Sequence, residues 1–268
     1  MVNLLVAAAL AAAMPTTAPP AQAADEPAMF VVRDADTTVY IFGTFHALDG
    51  QSNWFGDRVR NAFEQSNELV LEVVLPEGPA PIGQIRPSFR GPTVTPSASF
   101  LATTRMAINA GRTQGMQVGN GADMVLRQQA EAEGKIVEGL ETLQLQLDMF
   151  NKMPATPAAA PATRASRGAL GPDNQVRSLS KVMSEMQSAW KRGDQSVFVR
   201  MLHELENGSP DTYRMMFTER NARWADWIAA RMQTPGTVFV AVGAGHLAGK
   251  DSVLVRLAEK HISSQRIY

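Results

Sequence analysis

Two histidines occupy matching positions after two apolar runs of the sequence. His46 ends a Gly-Thr-Phe-His turn after the run 39–42, and His246 ends a Gly-Ala-Gly-His turn after the run 238–242. Glycine at a strand exit permits a sharp change of backbone direction. Because ligands in open α/β sheets bind beyond the carboxyl ends of the strands, we expect both imidazoles to project into one site. The alternative is that each histidine is simply a hydrogen-bonded turn residue.

Glu72 is the third candidate, because it interrupts the apolar run 69–74 near its carboxyl end. A carboxylate in such a run is costly unless it is paired or ligated. Two neutral imidazoles and one carboxylate leave coordination positions open for water and substrate, so His46, His246 and Glu72 are candidate metal ligands. The chain has no cysteine, and the metal stays open between zinc, manganese, cobalt and iron.

Two polar residues interrupt the apolar stripe of the helix predicted at 210–232. Steps of three and four from Met216 and Phe217 to Trp224 fall on Arg220 and Asn221. A buried arginine needs a carboxylate, a phosphate or a developing oxyanion as its partner. We therefore assign Arg220 and Asn221, together with Glu72, as candidate catalytic residues. The alternative is an arginine side chain that reaches the edge of the helix.

The other two histidines, His203 and His261, have no comparable context. His203 lies off the apolar stripe of its predicted helix, and His261 follows Lys260 at a helix end, where a cation suits the helix dipole. We exclude both from the site.

The elements that must position these residues alternate between short strands and amphipathic helices. Strands are predicted at 29–33, 38–42, 68–75, 135–140, 237–242 and 266–268, and helices at 54–66, 121–134, 141–150, 175–191, 194–206, 210–232 and 253–260. This order predicts an α/β fold, with α+β as the alternative, in which helices flank a central mixed β-sheet. The first two strands predict an N-terminal hairpin, Ser209 is expected to cap the helix 210–232, and the proline-rich stretches 76–99 and 153–171 predict long loops.

Composition narrows the classes of function. The 268 residues are 45% hydrophobic and include 25 basic and 26 acidic side chains. The chain can therefore bury a sizeable core, and since no boundary divides it, we expect one domain, 24–268. The balanced charge argues against nucleic acid as a partner. Absence of cysteine excludes disulfides, thiolate metal ligands and a cysteine nucleophile. The sequence does not indicate an oligomeric state.

The N-terminus has the pattern of an export signal. An apolar run at 4–13 precedes small residues at Ala21 and Ala23, which predicts a signal peptide 1–23 cleaved after Ala23. The alternative is an alanine-rich tail. The run is too short to span a bilayer as a helix. We therefore expect a periplasmic or secreted protein with no stable membrane insertion after cleavage.

Several motifs together resemble the TraB/PrgY/GumN family. They are the turn 43–46, the strand 68–73, Glu-Arg-Asn at 219–221, the stretch 240–249 that contains the second Gly-x-x-His turn, and a middle segment with Ala-Asp at 122–123, Leu126, Ala130, Gly-Leu-Glu-Thr at 139–142 and Gln146. The wider superfamily includes Tiki-type metalloproteases and erythromycin-esterase-like hydrolases. The resemblance implies a site centred on His46, Glu72 and His246, lined by Arg220 and Asn221. This chain has Val74 where relatives often have a second acid.

Three functions follow from these observations. The first is a metal-dependent hydrolase that cleaves peptide or amide bonds, in which Arg220 steadies the oxyanion. The second is a metal-independent, esterase-like hydrolase in which a histidine oriented by Glu72 acts as general base. The third is a protein that binds a peptide or glycan without turnover. The expected partner is a peptide or small-molecule substrate.

Overall fold

The computed structural model of the chain describes residues 25–75, 109–152 and 172–267. The predicted signal peptide 1–23 and the predicted loops 76–99 and 153–171 lie outside the described residues. The strands are β1 Met29–Arg33, β2 Thr37–Thr44, β3 Glu68–Val73, β4 Ile136–Glu141, β5 Gly236–Gly243 and β6 Gln265–Arg266. The α-helices with defined bounds are α1 Asp57–Glu64, α2 Ala122–Ala132, α3 Leu143–Lys152, α4 Pro172–Lys191, α5 Ser196–Gly208, α6 Pro210–Tyr213, α7 Glu219–Arg231 and α8 Val253–Glu259, and residues 109–112 are also helical.

The six strands form one mixed sheet in the order β4-β3-β5-β2-β1-β6. The four strands from β4 to β2 are mutually parallel, and β1 is antiparallel to both β2 and β6. The predicted α/β class with a central mixed sheet is therefore confirmed. The predicted hairpin of β1 and β2 is also confirmed, and Asp34 Oδ1 stabilises its turn by accepting from the amides of Asp36 and Thr37.

The register of the parallel strands places both glycine turns at one edge of the sheet. Thr44 at the end of β2 pairs with Gly243 at the end of β5, and Leu71 of β3 pairs with Ala241 of β5. The run Val238 to Val242 of β5 is fully buried, as expected for a central parallel strand covered on both faces. The carboxyl ends of β2, β3 and β5 therefore lie side by side.

Helices cover both faces of the sheet with separate apolar clusters. The first face packs against α1, α2, α4 and α5 through residues that include Phe42, Phe63, Leu69, Trp190 and Phe239. The second face packs against α7 and α8 through residues that include Val70, Trp224, Ile228, Val240 and Leu257. Within the described ranges, no helix has both the length and the apolar character of a membrane-spanning segment.

The predicted helix 210–232 is confirmed as an uninterrupted helical segment from Pro210 to Arg231, but its middle is π-helical. The segment consists of α6, a π-helical stretch at Arg214–Thr218, and α7. Ser209 precedes α6 as predicted, but its side chain makes no capping bond and its hydroxyl contacts Thr212 Oγ1 at 2.7 Å instead. A π-helical turn accommodates an extra residue and is frequent at functional sites. Periodicity alone did not reveal it.

Candidate functional site

His46, Glu72 and His246 lie together at the carboxyl edge of the sheet. Glu72 Oε1 is 3.9 Å from His46 Nε2 and 3.8 Å from His246 Nε2. Gly243, at the end of β5, leaves a gap between them, because a Cβ at this position would lie 3.1 Å from both Glu72 Oε1 and His46 Nε2. Three residues that are distant in sequence thus face one small space that a glycine keeps open.

His246 is held in one tautomer by its neighbours. Its Nδ1 lies 2.6 Å from Asn221 Oδ1, and the Asn221 amide nitrogen donates to the Asp251 carbonyl at 2.8 Å. Arg220 Nη1, which can only donate, lies 3.3 Å from His246 Nε2. The Nδ1 of His246 therefore carries the proton, and its Nε2 lone pair points toward the site. Burial, reinforced by the charge of Arg220, lowers the pKa of His246 to about 3, so the ring is neutral.

His46 is oriented by an acid on the other side of its ring. Its Nδ1 lies 3.2 Å from Asp123 Oδ1, which turns Nε2 toward Glu72. The side chain is 59% exposed, and the exposed part faces the cavity described below. Its position inside the cavity, away from bulk water, would by itself lower the pKa of this histidine, but the contact with Asp123 and the charges of Asp123 and Glu72 outweigh that effect and raise the pKa of His46 to about 9.

Glu72 is ionised despite its burial. Arg220 Nη2 donates to Glu72 Oε2 at 2.7 Å, and the Gly243 amide donates to Oε1 at 2.7 Å. Burial on its own raises the pKa of a carboxyl. The charge that His246 acquires when it is protonated at low pH, the charges of Arg220 and His46, and the Gly243 amide outweigh it and lower the pKa of Glu72 to about 2. The carboxylate that was predicted to need a partner therefore has one.

Arg220 contacts both Glu72 and His246 and is only 3% exposed. Its acceptors, all within 3.4 Å, are Glu72 Oε2, both carboxylate oxygens of Glu141, the Met216 carbonyl and His246 Nε2. These contacts occupy all three guanidinium nitrogens and match the five N–H groups of an arginine. Arg220 can therefore reach a developing oxyanion only by releasing one of them.

Asp123 and Glu141 belong to the site and were missed as site residues by the sequence reasoning. Asp123 reaches His46 because α2 begins against the His46 turn: a Cβ on Gly121 would lie 2.3 Å from the His46 carbonyl oxygen, and the Ala122 amide donates to Phe45. Glu141 ends β4 and is buried between Arg220 and Arg223. Asp123 and Glu141 could have been found from the sequence, because both lie in the middle segment that resembles the family. Glu141 also supplies a second buried acid, although position 74 is valine.

A cavity of about 560 Å³ opens in front of the site. Its polar side includes His46, Glu72, Asp123, Arg220 and His246. Its other side consists mainly of apolar side chains from α3, α4, α5 and the π-helical stretch. This volume lies within the range of small-ligand and substrate pockets.

His46, Glu72 and His246 are of residue types that bind divalent metals, and both imidazoles direct Nε2 at one carboxylate oxygen. Each imidazole presents Nε2 to Glu72 Oε1 while its Nδ1 faces an outer oxygen, as metal-binding histidines commonly do. Ligands of one zinc-sized ion lie about 3.4 Å apart, so the distances of 3.8 and 3.9 Å require a closure of about half an ångström. Among residues 25–75, 109–152 and 172–267, no three His, Cys, Asp or Glu side chains already stand at metal-ligand spacing.

Comparison with protein families identifies the family to which the chain belongs. The TraB/PrgY/gumN family model matches residues 28–86 and 91–266, which is most of the chain. The chain therefore belongs to the TraB/PrgY/gumN family. Comparison with curated proteins and with solved structures gave no significant match.

Proposed function

We propose that the protein is a hydrolase of peptide or amide bonds that depends on a divalent metal ion held by His46, Glu72 and His246. The observation that supports it is that both Nε2 atoms face one Glu72 oxygen while both Nδ1 atoms are held by other side chains. A bound zinc, manganese, cobalt or iron ion lowers the pKa of bound water and polarises the scissile carbonyl.

The protein supplies the orientation and the charges of this site. Asn221 keeps the proton of His246 on Nδ1, so Nε2 carries the lone pair that a metal ligand requires. Asp123 orients His46 in the same way from the opposite side. Arg220 keeps Glu72 ionised and fixes its Oε2, which leaves Oε1 directed at the gap beside Gly243. The substrate binds in the cavity in front of these three side chains.

One contact favours a metal-independent hydrolase as the second candidate. Arg220 Nη1 lies 3.3 Å from His246 Nε2 and occupies the lone pair that a metal ion needs. In this mechanism His46, held by Asp123, takes a proton from the attacking water and passes it to the leaving group. The carboxylate of Glu72 balances the positive charge of the protonated imidazole. The metal content of the purified protein separates the two mechanisms.

The test combines metal analysis with turnover. The protein is purified without chelator, its metal content is measured by mass spectrometry, and cleavage of peptide and ester libraries is followed. We expect close to one divalent ion per chain, and a loss of bound metal and of turnover of at least about a hundredfold in His46→Ala and His246→Ala.

The chain offers matched controls for these variants. His203 and His261 are exposed and lie outside the site, so His203→Ala and His261→Ala should leave metal content and turnover unchanged. If the protein turns over substrate without bound metal, and this turnover is lost in His46→Ala and His246→Ala, the metal-independent mechanism is supported. Ligand capture without any turnover would instead support a binding protein for a peptide or glycan.

We propose further that the protein is exported to the periplasm or the medium after cleavage behind Ala23. The support is the apolar run 4–13 followed by small residues at Ala21 and Ala23. The mass of the protein recovered from a periplasmic extract tests this, because cleavage predicts a chain that begins at Ala24. Recovery only in the cytoplasm at full mass would contradict it.

A further inference from the structure

The apolar side of the cavity is unusually rich in methionine. It is formed by Met183 and Met186 of α4, Phe198 and Met201 of α5, and Met216 and Phe217 of the π-helical stretch, and we call this set the methionine wall. Four of the 14 methionines of the chain thus lie in a single surface. The four methionines and Phe217 are partly exposed to the cavity, and Phe198 is buried behind them.

The methionine wall is suited to apolar ligands whose side chains differ in shape. Methionine is unbranched and polarisable, so a wall of methionines can repack around side chains of different shapes. No side chain of the wall carries a charge. The charged groups of the cavity are on its opposite side, where the donors of Arg220 are already bound to Glu72 and Glu141. The carboxylates of Glu72 and Asp123 disfavour an acidic ligand there.

The methionine wall is continuous with the reactive centre. The Phe217 ring packs against the His246 ring with centroids 4.8 Å apart. A Cβ on Gly245 would lie 3.2 Å from Phe217 Cε1 and 4.0 Å from Met201 Cε, so this glycine of the second turn lets the wall approach His246 closely. A group that packs against Phe217 and Met201 is therefore placed beside His246, one of the three central side chains.

We propose that the methionine wall selects substrates with a large, uncharged apolar side chain, of leucine, methionine or phenylalanine size, next to the bond that is cleaved. This inference rests on the proposed hydrolase function for the position of that side chain. The selection itself is a binding preference, and it is measurable without turnover.

The first experiment measures binding and cleavage separately. The peptides acetyl-Ala-X-Ala-amide, with X as Leu, Met, Phe, Ala, Lys or Asp, are titrated into the full-length protein by calorimetry, and cleavage is followed by mass spectrometry. Each buried methylene contributes about fourfold in affinity, so the Leu, Met and Phe peptides should bind at least about tenfold more tightly than the Ala and Asp peptides.

The second experiment alters the wall without altering the polar side of the cavity. Met201→Gln should weaken binding of the Leu peptide about five- to tenfold with little change for the Ala peptide, while Met201→Leu should keep the preference. Val182→Gln is the matched control, because Val182 is on α4 but is 45% exposed and lies outside the cavity. Circular dichroism and thermal unfolding confirm that each variant is folded.

The outcomes separate this proposal from the hydrolase proposal. An apolar preference in binding that Met201→Gln removes, with no peptide cleaved, supports the substrate class and contradicts the hydrolase. Cleavage without an apolar preference, or with a preference for Lys or Asp, overturns the substrate class and leaves the hydrolase standing. The substrate class is also overturned if none of the six peptides binds measurably.

Discussion

Arg220 is the residue on which the charge balance of the site depends. It lies between the carboxylates of Glu72 and Glu141, and both are largely buried, with side chains 13% and 2% exposed. Arg223 contacts the same Glu141 carboxylate from the outside and is itself 48% exposed. The two arginines therefore offer a direct comparison between a buried and a peripheral partner of one acid.

The first prediction concerns stability. Arg220→Met should destabilise the protein by about 3–5 kcal/mol, because it leaves two buried carboxylates without their main partner. Arg223→Met should cost less than about 1 kcal/mol, since Arg223 is half exposed and Glu141 keeps Arg220 as its buried partner. Urea unfolding of both variants measures the difference. Equal effects of the two substitutions would contradict this account of the site.

Gly243 is the second residue with a specific role, because its missing side chain keeps the centre of the site open. We predict that Gly243→Ala lowers turnover and metal content at least about a hundredfold while the fold is retained, since the new methyl group would lie 3.1 Å from Glu72 Oε1 and His46 Nε2. Gly119→Ala is the control, because a Cβ there meets no atom within 4 Å. Unchanged turnover in Gly243→Ala would show that the gap is not used.

Among the elements, α4 fixes the exit of β2. Trp190 of α4 is 2% exposed, and its indole nitrogen donates to the Gly43 carbonyl at 2.7 Å. Gly43 opens the turn that carries His46, so α4 holds the backbone of that turn as well as covering the sheet. The π-helical stretch has a comparable role, since it brings Met216 and Phe217 to the cavity.

The third prediction concerns the hydrogen bond from the Trp190 indole to the Gly43 carbonyl. Trp190→Phe should destabilise the protein by about 1–3 kcal/mol more than Trp224→Phe, because it removes the donor of the buried Gly43 carbonyl. Trp224 is equally buried, but its indole nitrogen has no acceptor among the described residues. Chemical denaturation gives both values. Equal losses would mean that packing alone accounts for the role of Trp190.

For the molecule as a whole, a metal bound to the folded state adds to its stability. At a free ion concentration about 100 times Kd this contribution is about 2.7 kcal/mol, which for a chain of this size raises Tm by roughly 5–10 °C. We predict such a rise with at least one of zinc, manganese, cobalt or ferrous iron, measured by thermal unfolding against protein treated with chelator.

The controls for this prediction use the same histidines as the turnover test. The rise in Tm should disappear in His46→Ala and His246→Ala and persist in His203→Ala. An unchanged Tm with all four ions would contradict the metal proposal and favour the mechanism in which Arg220 keeps its contact with His246 Nε2.

The sequence was sufficient to predict most elements and the residues that meet at the carboxyl edge of the sheet. Strand and helix positions follow from apolar periodicity, which is a local property, and the α/β class follows from their order. His46 and His246 were identified by glycine turns after apolar runs, and Glu72 by a charge inside such a run. Arg220 and Asn221 were identified as interruptions of an apolar stripe. Each of these signals lies within a few consecutive residues.

Only the tertiary structure decided which partners these residues have. Asp123 and Glu141 are ordinary acids in the sequence, and their roles come from the close packing of α2 on the His46 turn and from the position of β4 beside β3. The engagement of every Arg220 nitrogen also depends on contacts between segments far apart in the chain. Local patterns fix which residues are buried and where strands end, but the partner of a buried charge is set by which segments pack together.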